Sequence, residues 1–335
     1  MSRDVHEKLI VIDAEELSNW DRDLIEGLRV GGLTCANVTT ATWEDARTTL
    51  DNIGHFYRLA REHSDILTLA RSGEDILAAK EQERTAFILG FQNTSPFEDD
   101  LALVEVFHAL GVRIVQLTYN NQNFVGGSCY EENDSGLSRF GHNVIREMNR
   151  LGMLIDLSHV GERTSLETMA FSSRPVAITH SNPKWHYEHK RNKSDKVLQA
   201  LVDCGGVLGL CILPHLHGGP TIMRELTLTG FCELVARTVE FMGIDHVGIG
   251  TDLAGKHTSD RLKWIHNGRW ALERSYGSSW PGVTDWPEWF PWFNTARDFP
   301  NLTAGLLDYG FTEEEAAKIM GGNWHRLFTD SFKPA

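Results

Sequence analysis

The sequence predicts a (β/α)8 barrel, a TIM-like fold carried by one domain spanning residues 1–335. Three observations predict it. Eight short apolar runs, rich in Val, Ile and Leu, recur along the 335 residues. Most are separated by a stretch of helical periodicity, the alternation that produces parallel strands joined by right-handed crossovers. Several of the runs end in a polar residue, and strand ends are where such barrels carry their chemistry. A doubly wound open sheet is the alternative architecture. No Gly-rich phosphate loop follows the first run, which argues against a nucleotide-binding version.

Residues 9–13 form the first run, bounded by charge, with a loop expected over residues 14–19. Residues 24–29 read as a short helix closed by Gly31 and Gly32. The second strand is expected at residues 33–38, followed by helical stretches over 42–60 and 65–79. The third strand, residues 85–91, ends in the polar Gln92-Asn93-Thr94. A helix over 101–110 stops at Gly111, and the fourth strand, 112–118, ends in Tyr119-Asn120-Asn121. The stretch 123–137 is rich in Gly, Ser and Asn and reads as a loop. A helix over 141–150 is closed by Gly152.

Strands five and six, residues 153–157 and 175–178, organise the chain. They end in Ser158-His159 and Thr179-His180, with a helix over 161–171 between them. A cationic turn, Arg191-Asn192-Lys193-Ser194-Asp195, follows. A helix over 196–203, a seventh strand over 206–213, a long helix over 226–242 and an eighth strand over 246–250 complete the set. That last strand ends in Thr251-Asp252. Residues 256–300 are a Trp-rich insertion holding six of the ten tryptophans and four prolines. It cannot be one continuous helix, and its position after strand eight sets it over the barrel mouth. Its rings either pack the insertion onto the barrel or wall a substrate pocket.

Composition narrows the function. Hydrophobic residues make up 41% and charged residues 23%, a globular balance. The formal charge of −14, from 32 basic and 46 acidic residues, makes nucleic acid and anionic membrane poor partners. A small molecule is the expected partner. Five cysteines, at spacings matching no zinc or disulfide framework, read as reduced thiols of a cytoplasmic protein. The first eight residues lack the apolar core of a secretory signal. No window approaches the ~20 apolar residues of a membrane span.

His159 and His180 are the sharpest chemical signal. Two imidazoles from neighbouring strand ends can share one ion. Asp252 on strand eight is placed to act as general base on a water, its structural alternative being a helix N-cap. Arg191 offers a planar fork for a substrate carboxylate, or else a surface salt bridge. His186 and His189 flank that turn, at the pocket or on the surface. Glu15, Gln92, Asn93 and Tyr119 complete the polar set at strand ends.

Taken together, Ile155-Asp156-Leu157-Ser158-His159, Ile178-Thr179-His180-Ser181, Arg191-Asn192 and Gly248-Ile249-Gly250-Thr251-Asp252 resemble the membrane (renal) dipeptidase family of zinc metallopeptidases. Gly321-Gly322-Asn323 resembles that family's C-terminal signature, and the resemblance runs from Ile10 to about Phe328. It implies hydrolysis of small dipeptide-like amides at a metal site on the barrel mouth. By position His159 and His180 would be ligands of the second zinc, Asp252 the acid/base and Arg191 the carboxylate clamp. The family often forms homodimers.

Four departures bear on that implication. Where the family's first strand ends in a His-x-Asp pair binding the first zinc, Glu15 stands in the His place and Leu17 in the Asp place. Gln92 replaces the Glu that bridges the two metals, and Tyr119 replaces a His near the substrate carbonyl. Leucine cannot ligate a metal, and a neutral amide is a poor ligand that cannot balance two dications. At most one zinc is therefore expected, on His159 and His180, with Glu15 or Asp252 as a third ligand. Tyr119 or Gln92 would donate to a developing oxyanion, and Gln92 with Asn93 would line the substrate site. Three readings follow: a metallohydrolase with one ion at most, a metal-free enzyme acting on another C–N or C–O bond, and an inactive ligand-binding relative.

Overall fold

Alternation of side chains along each strand sorts the chain into two cores. In the computed structural model, which describes residues 2–218, 226–267 and 286–334, nine strands are present. They are β1 (Ile12–Glu16), β2 (Cys35–Ala41), β3 (Leu67–Leu69), β4 (Thr85–Phe91) and β5 (Val112–Gln116). The others are β6 (Leu154–Asp156), β7 (Ala177–Ser181), β8 (Val207–Leu210) and β9 (Val247–Ile249). All pair in parallel in the order β1-β2-β4-β5-β6-β7-β8-β9, and β3 pairs only with the first three residues of β4. A bridge from Glu16 to Leu253 and a bond from the Leu17 N–H to the Leu253 carbonyl, 2.8 Å, bring β1 back to the end of β9. The result is a nearly closed eight-stranded barrel with alternating helices, the (β/α)8 architecture.

One parity of strand residues, among them Val38, Phe87, Leu89, Val115, Ile155, Ile178 and Leu208, packs outward with the helices into the large core. The other parity, Ile12, Cys35, Ile88, Ile114, Leu154, Ala177 and Val207, packs into a separate inner core. Trp324, Leu327 and Phe328 from the C-terminal helix Asn323–Ser331 join this inner core. Trp324 is wholly buried and donates its indole N–H to the Ile249 carbonyl at 3.0 Å. Gly248 is required beneath it, since an added Cβ would lie 2.3 Å from the indole nitrogen. Asn323 donates to the Ile244 and Val247 carbonyls at 2.7 and 2.8 Å, which fixes the start of β9. That gives the Gly321-Gly322-Asn323 signature a structural role at the foot of the barrel.

Further up, the inner parity turns polar. Asn37, Gln92, Gln116, Asp156 and Thr179 are all buried above the apolar layer. The barrel is pinched there: a Cβ on Gly250 would meet the Thr179 carbonyl oxygen at 1.8 Å. Only glycine lets β9 come this near β7, and this proximity brings the chain ends after the two strands together.

Four expectations need correction. The first strand is Ile12–Glu16, so residues 14–16 are strand rather than loop. The stretch 65–79 opens with β3, and its helix, Gly73–Glu81, starts at a capping box on Ser72 and Asp75. The helix expected from residue 42 is Ala46–Glu62, because the Asp45 side chain caps it at Thr48. Ser2–Lys8 forms a helix that hydropathy did not mark. Of the tryptophan-rich insertion, Trp270 and Trp280 lie outside the described residues. All five cysteines are free thiols. Among the described residues no helix is long and apolar enough to cross a membrane.

Candidate active site

The loops after β1, β5, β6, β7, β8 and β9 converge on one cavity at the C-terminal mouth of the barrel. Tyr119, Asn120, His159, Arg191 and Asp252 face it, with Leu17, Tyr130, His215, Ile265, His266 and Trp286 among its other walls. It is narrow, about 70 Å³, room for about two water molecules.

The orientation of His159 and His180 is set from behind. Asn120 Oδ1 lies 2.7 Å from His159 Nδ1, so in this amide orientation Nδ1 carries the proton and Nε2 keeps its lone pair. Asp156 accepts from the Ser158 hydroxyl at 2.6 Å, the Thr179 N–H at 2.8 Å and the Thr179 hydroxyl at 2.9 Å. With its only proton given to Asp156, Thr179 Oγ1 accepts from His180 Nδ1 at 2.8 Å. His180 Nε2 is then also a bare lone pair. The two Nε2 atoms stand 3.1 Å apart, close to the separation of two nitrogens each ~2.0–2.1 Å from one shared ion. Burial, then the Arg191 charge, holds both imidazoles well below their ordinary pKa. Both imidazoles are therefore neutral, with their lone pairs facing each other across the gap.

The rest of the donor set does not fit the two-zinc centre of the resemblance. Leu17 is buried against Trp43, Tyr119 and Ile265 in a small apolar cluster of its own. Gln92 gives its amide hydrogens to Thr39 Oγ1 at 2.9 Å and Glu15 Oε1 at 3.2 Å. Glu15 also accepts from Thr39 and, at 3.0 Å, from Asn37. Its nearest approach to His180 is 4.0 Å, on Nδ1, the nitrogen turned away from the His159–His180 gap. Burial raises the Glu15 pKa well above the carboxylate range, and Asp252, Asp156 and Asp13 add to the rise. Among the described residues no group of three His, Cys, Asp or Glu side chains is arranged to hold a metal. Among the described residues the first-metal positions hold Glu15, already bonded to Asn37, Thr39 and Gln92, and the apolar Leu17.

Asp252 follows β9 in the left-handed region, φ 59°, a conformation in which Asp is enriched among non-glycine residues. Its N–H is tied to the Glu15 carbonyl at 3.0 Å. No helix begins there, so it is not an N-cap. Burial lifts its pKa to about 7 against the opposing charge of Arg191, and Asp156 adds to the rise. Arg191 is buried rather than in a surface salt bridge. Nη2 donates to the His180 carbonyl at 3.1 Å and Nη1 to the Ser158 carbonyl, so the guanidinium is held against the two histidine-bearing strand ends. Lys193 braces the same region, donating to the Leu157 and Val160 carbonyls at 2.7 and 2.9 Å. Burial, then Arg191, pulls its pKa down to about 7.

Tyr119 stacks on His159, with ring centroids 4.2 Å apart, and meets Trp43 edge-on at 5.3 Å. Burial, then Asp252, raises its hydroxyl pKa, so the group stays a donor.

Of the residues marked in the sequence, Tyr119, His159, Arg191 and Asp252 thus share the cavity wall. His180, Glu15 and Gln92 lie away from that wall. Asn93 is turned into the loop, where its Oδ1 accepts from Asn123 at 2.9 Å. His186 bonds His217 at 2.9 Å, and His189 accepts from the Arg191 N–H at 3.2 Å, so neither is a free surface group. Sequence reasoning gave no role to Asn120, Asp156, His215 or His266. Asn120, in the polar end Tyr119-Asn120-Asn121, and Asp156, a charge inside an apolar run, carried a signal.

The strand ends of the parallel barrel thus bring two facing imidazoles, a buried carboxylate and a buried guanidinium together. Comparison with known proteins sets this arrangement in a family. The sequence model for membrane dipeptidase (peptidase family M19) matches residues 13–270, and the chain belongs to that family. Dipeptidase verJ of Clonostachys rogersoniana is 32% identical over 220 residues, covering 65% of this chain and 56% of that protein. Dipeptidase tcpJ of Claviceps purpurea is 27% identical over 286 residues, 85% of this chain and 60% of its own length. The chain thus spans less than two thirds of these curated relatives. Among solved structures, an amidohydrolase from Pseudomonas aeruginosa superposes with a TM-score of 0.92 at 39% identity, covering 99% of both chains. The probable dipeptidase PvdM from the same organism shares the fold, with a TM-score of 0.80 at 20% identity over 100% of this chain and 98% of its own.

Proposed function

We propose that this chain hydrolyses a small amide, a dipeptide or an N-acylated amino acid, that presents its carboxylate to Arg191, with at most one metal ion bound. Asp252 carries the reading. Its carboxyl titrates near 7 in a cavity shared with His159 and Arg191, which suits a group that must both take and return a proton. Arg191 holds the carboxylate of the substrate. Asp252 removes a proton from the attacking water, and the Tyr119 hydroxyl donates to the oxyanion that forms. Asp252 then hands the proton to the departing amine. A divalent ion on His159 and His180 would supply Lewis-acid polarisation of the carbonyl. A second reading, a metal-free acid–base enzyme acting on another C–N or C–O bond, is supported by the hydrogen bonds that occupy Glu15 and Gln92.

The test is a panel of dipeptides and N-acyl amino acids, assayed with protein purified without chelator and analysed for metal. Hydrolysis is expected, falling at least about 100-fold in Asp252→Asn. Metal content is expected not to exceed one zinc per chain, and His159→Ala with His180→Ala should remove it. No turnover of any panel member overturns the proposal.

A further inference from the structure

The two sides of the barrel mouth differ in character. Arg191 is anchored over the ends of β6 and β7 through the Ser158 and His180 carbonyls. Leu17 follows β1 and Trp43 follows β2. In the strand order, β1 stands four places from β6, which is across an eight-stranded barrel. Leu17 and Trp43 are buried there with Ile265, with Trp264 and Trp286 packed against them, in a cluster separate from both main cores that Tyr119, after β5, closes on the His159 side. Three of these, Leu17, Tyr119 and Ile265, also face the cavity. Trp43 is held in place by its indole N–H, which donates to the Ile265 carbonyl at 3.2 Å. Leu17, at the place where the resemblance implies a metal-binding Asp, is part of this apolar wall.

Resting on the amide-hydrolase reading above, we infer that this wall is a subsite for a bulky apolar group on the acyl side of the scissile amide. Leu17 and Ile265 set that specificity. A substrate with its carboxylate on Arg191 and its amide beside Asp252 projects its acyl portion across the mouth, away from the cation. A small or charged acyl group there would leave apolar surface exposed or bury a charge without a partner. A leucyl or phenylalanyl side chain covers it.

The test uses four dipeptides with one common carboxylate end: Gly-Gly, Ala-Gly, Leu-Gly and Phe-Gly. Binding is read by calorimetry on the Asp252→Asn protein, and turnover on the wild type. Binding should tighten at least about tenfold from Gly-Gly to Leu-Gly, the scale on which apolar pockets sense added methylenes. Leu17→Ala should weaken Leu-Gly about tenfold and Gly-Gly less than twofold, with the loss in KM rather than kcat. Ile265→Ala, on a different segment, should act in the same direction, so the test survives if Leu17→Ala fails to fold by circular dichroism. A flat binding series, or selectivity untouched by both variants, overturns the inference. Graded binding without turnover overturns the hydrolase reading alone. Binding by no member overturns both.

Discussion

Replacing Asp252 with Asn should make the protein inactive and sturdier at once. The carboxyl titrates at about 7 in the folded chain, against an ordinary value of 3.8. Folding therefore favours its protonated form. The group contributes stability that is fully present below the unfolded pKa and lost as pH rises through about 7. A displacement of about 3 units at ~1.36 kcal/mol each corresponds to up to about 4 kcal/mol of destabilisation above pH 8. Asn resembles the protonated acid in shape and stays neutral, so Asp252→Asn should recover most of that above pH 8. It should change little at pH 4. Urea unfolding at pH 4, 6 and 8 measures this directly. Activity should follow the opposite sign. Wild-type kcat/KM should fall about tenfold per pH unit below pH 7, as the base becomes protonated. Removing the positive charge in Arg191→Met should move that limb upward in pH. A limb near pH 4, or an Asp252→Asn protein no more stable than wild type at pH 8, would refute the reasoning.

Three further outcomes follow from the same geometry. Asn120→Ala leaves the His159 Nδ1 proton without its partner and should weaken zinc binding, if titration calorimetry detects it in the wild type, about 10–100-fold, while the lost hydrogen bond and an alanine at φ 54° should together cost about 1–2 kcal/mol in unfolding. Gly250→Ala drives a methyl group against the Thr179 carbonyl and should destabilise by roughly 1–3 kcal/mol or more, with a loss of turnover as Asp252 shifts away from β7. Trp324→Ala empties the foot of the barrel and should cost about 3–5 kcal/mol, read as a lower urea midpoint.

Much of the barrel was legible because its strands are fully buried, and continuous apolar runs mark such strands wherever the site does not intrude. The third predicted strand and Thr85–Phe91 coincide. The first strand was displaced for the opposite reason. Its true span, Ile12–Glu16, carries three buried carboxyls, Asp13, Glu15 and Glu16, so hydropathy pointed to the apolar residues just before it. The three-residue strand Leu67–Leu69 is too short to show a period. At the site, His159 and Asp252 were visible as polar ends of apolar runs. The roles of Asn120 and of the Thr179–Asp156 relay were not, because they lie in accepting the Nδ1 proton of a histidine and so fixing which nitrogen keeps its lone pair. No spacing along the chain encodes that. Leu17 was marked as a lost ligand, but that it nucleates a separate cluster with Trp43 and Ile265 depends on contacts 26 and 248 residues distant in sequence.

The inner apolar core, with Trp324 at its base, lies beneath the polar layer, and the groups at the mouth sit on strand ends and the loops above it. The scaffold and the chemistry are therefore separable. Leu17 and Gln92 can depart from what the resemblance implies while His159 and His180, on other strands, keep their alignment. Such a layout permits function to drift in single steps, each tolerated by a foundation that does not register the change.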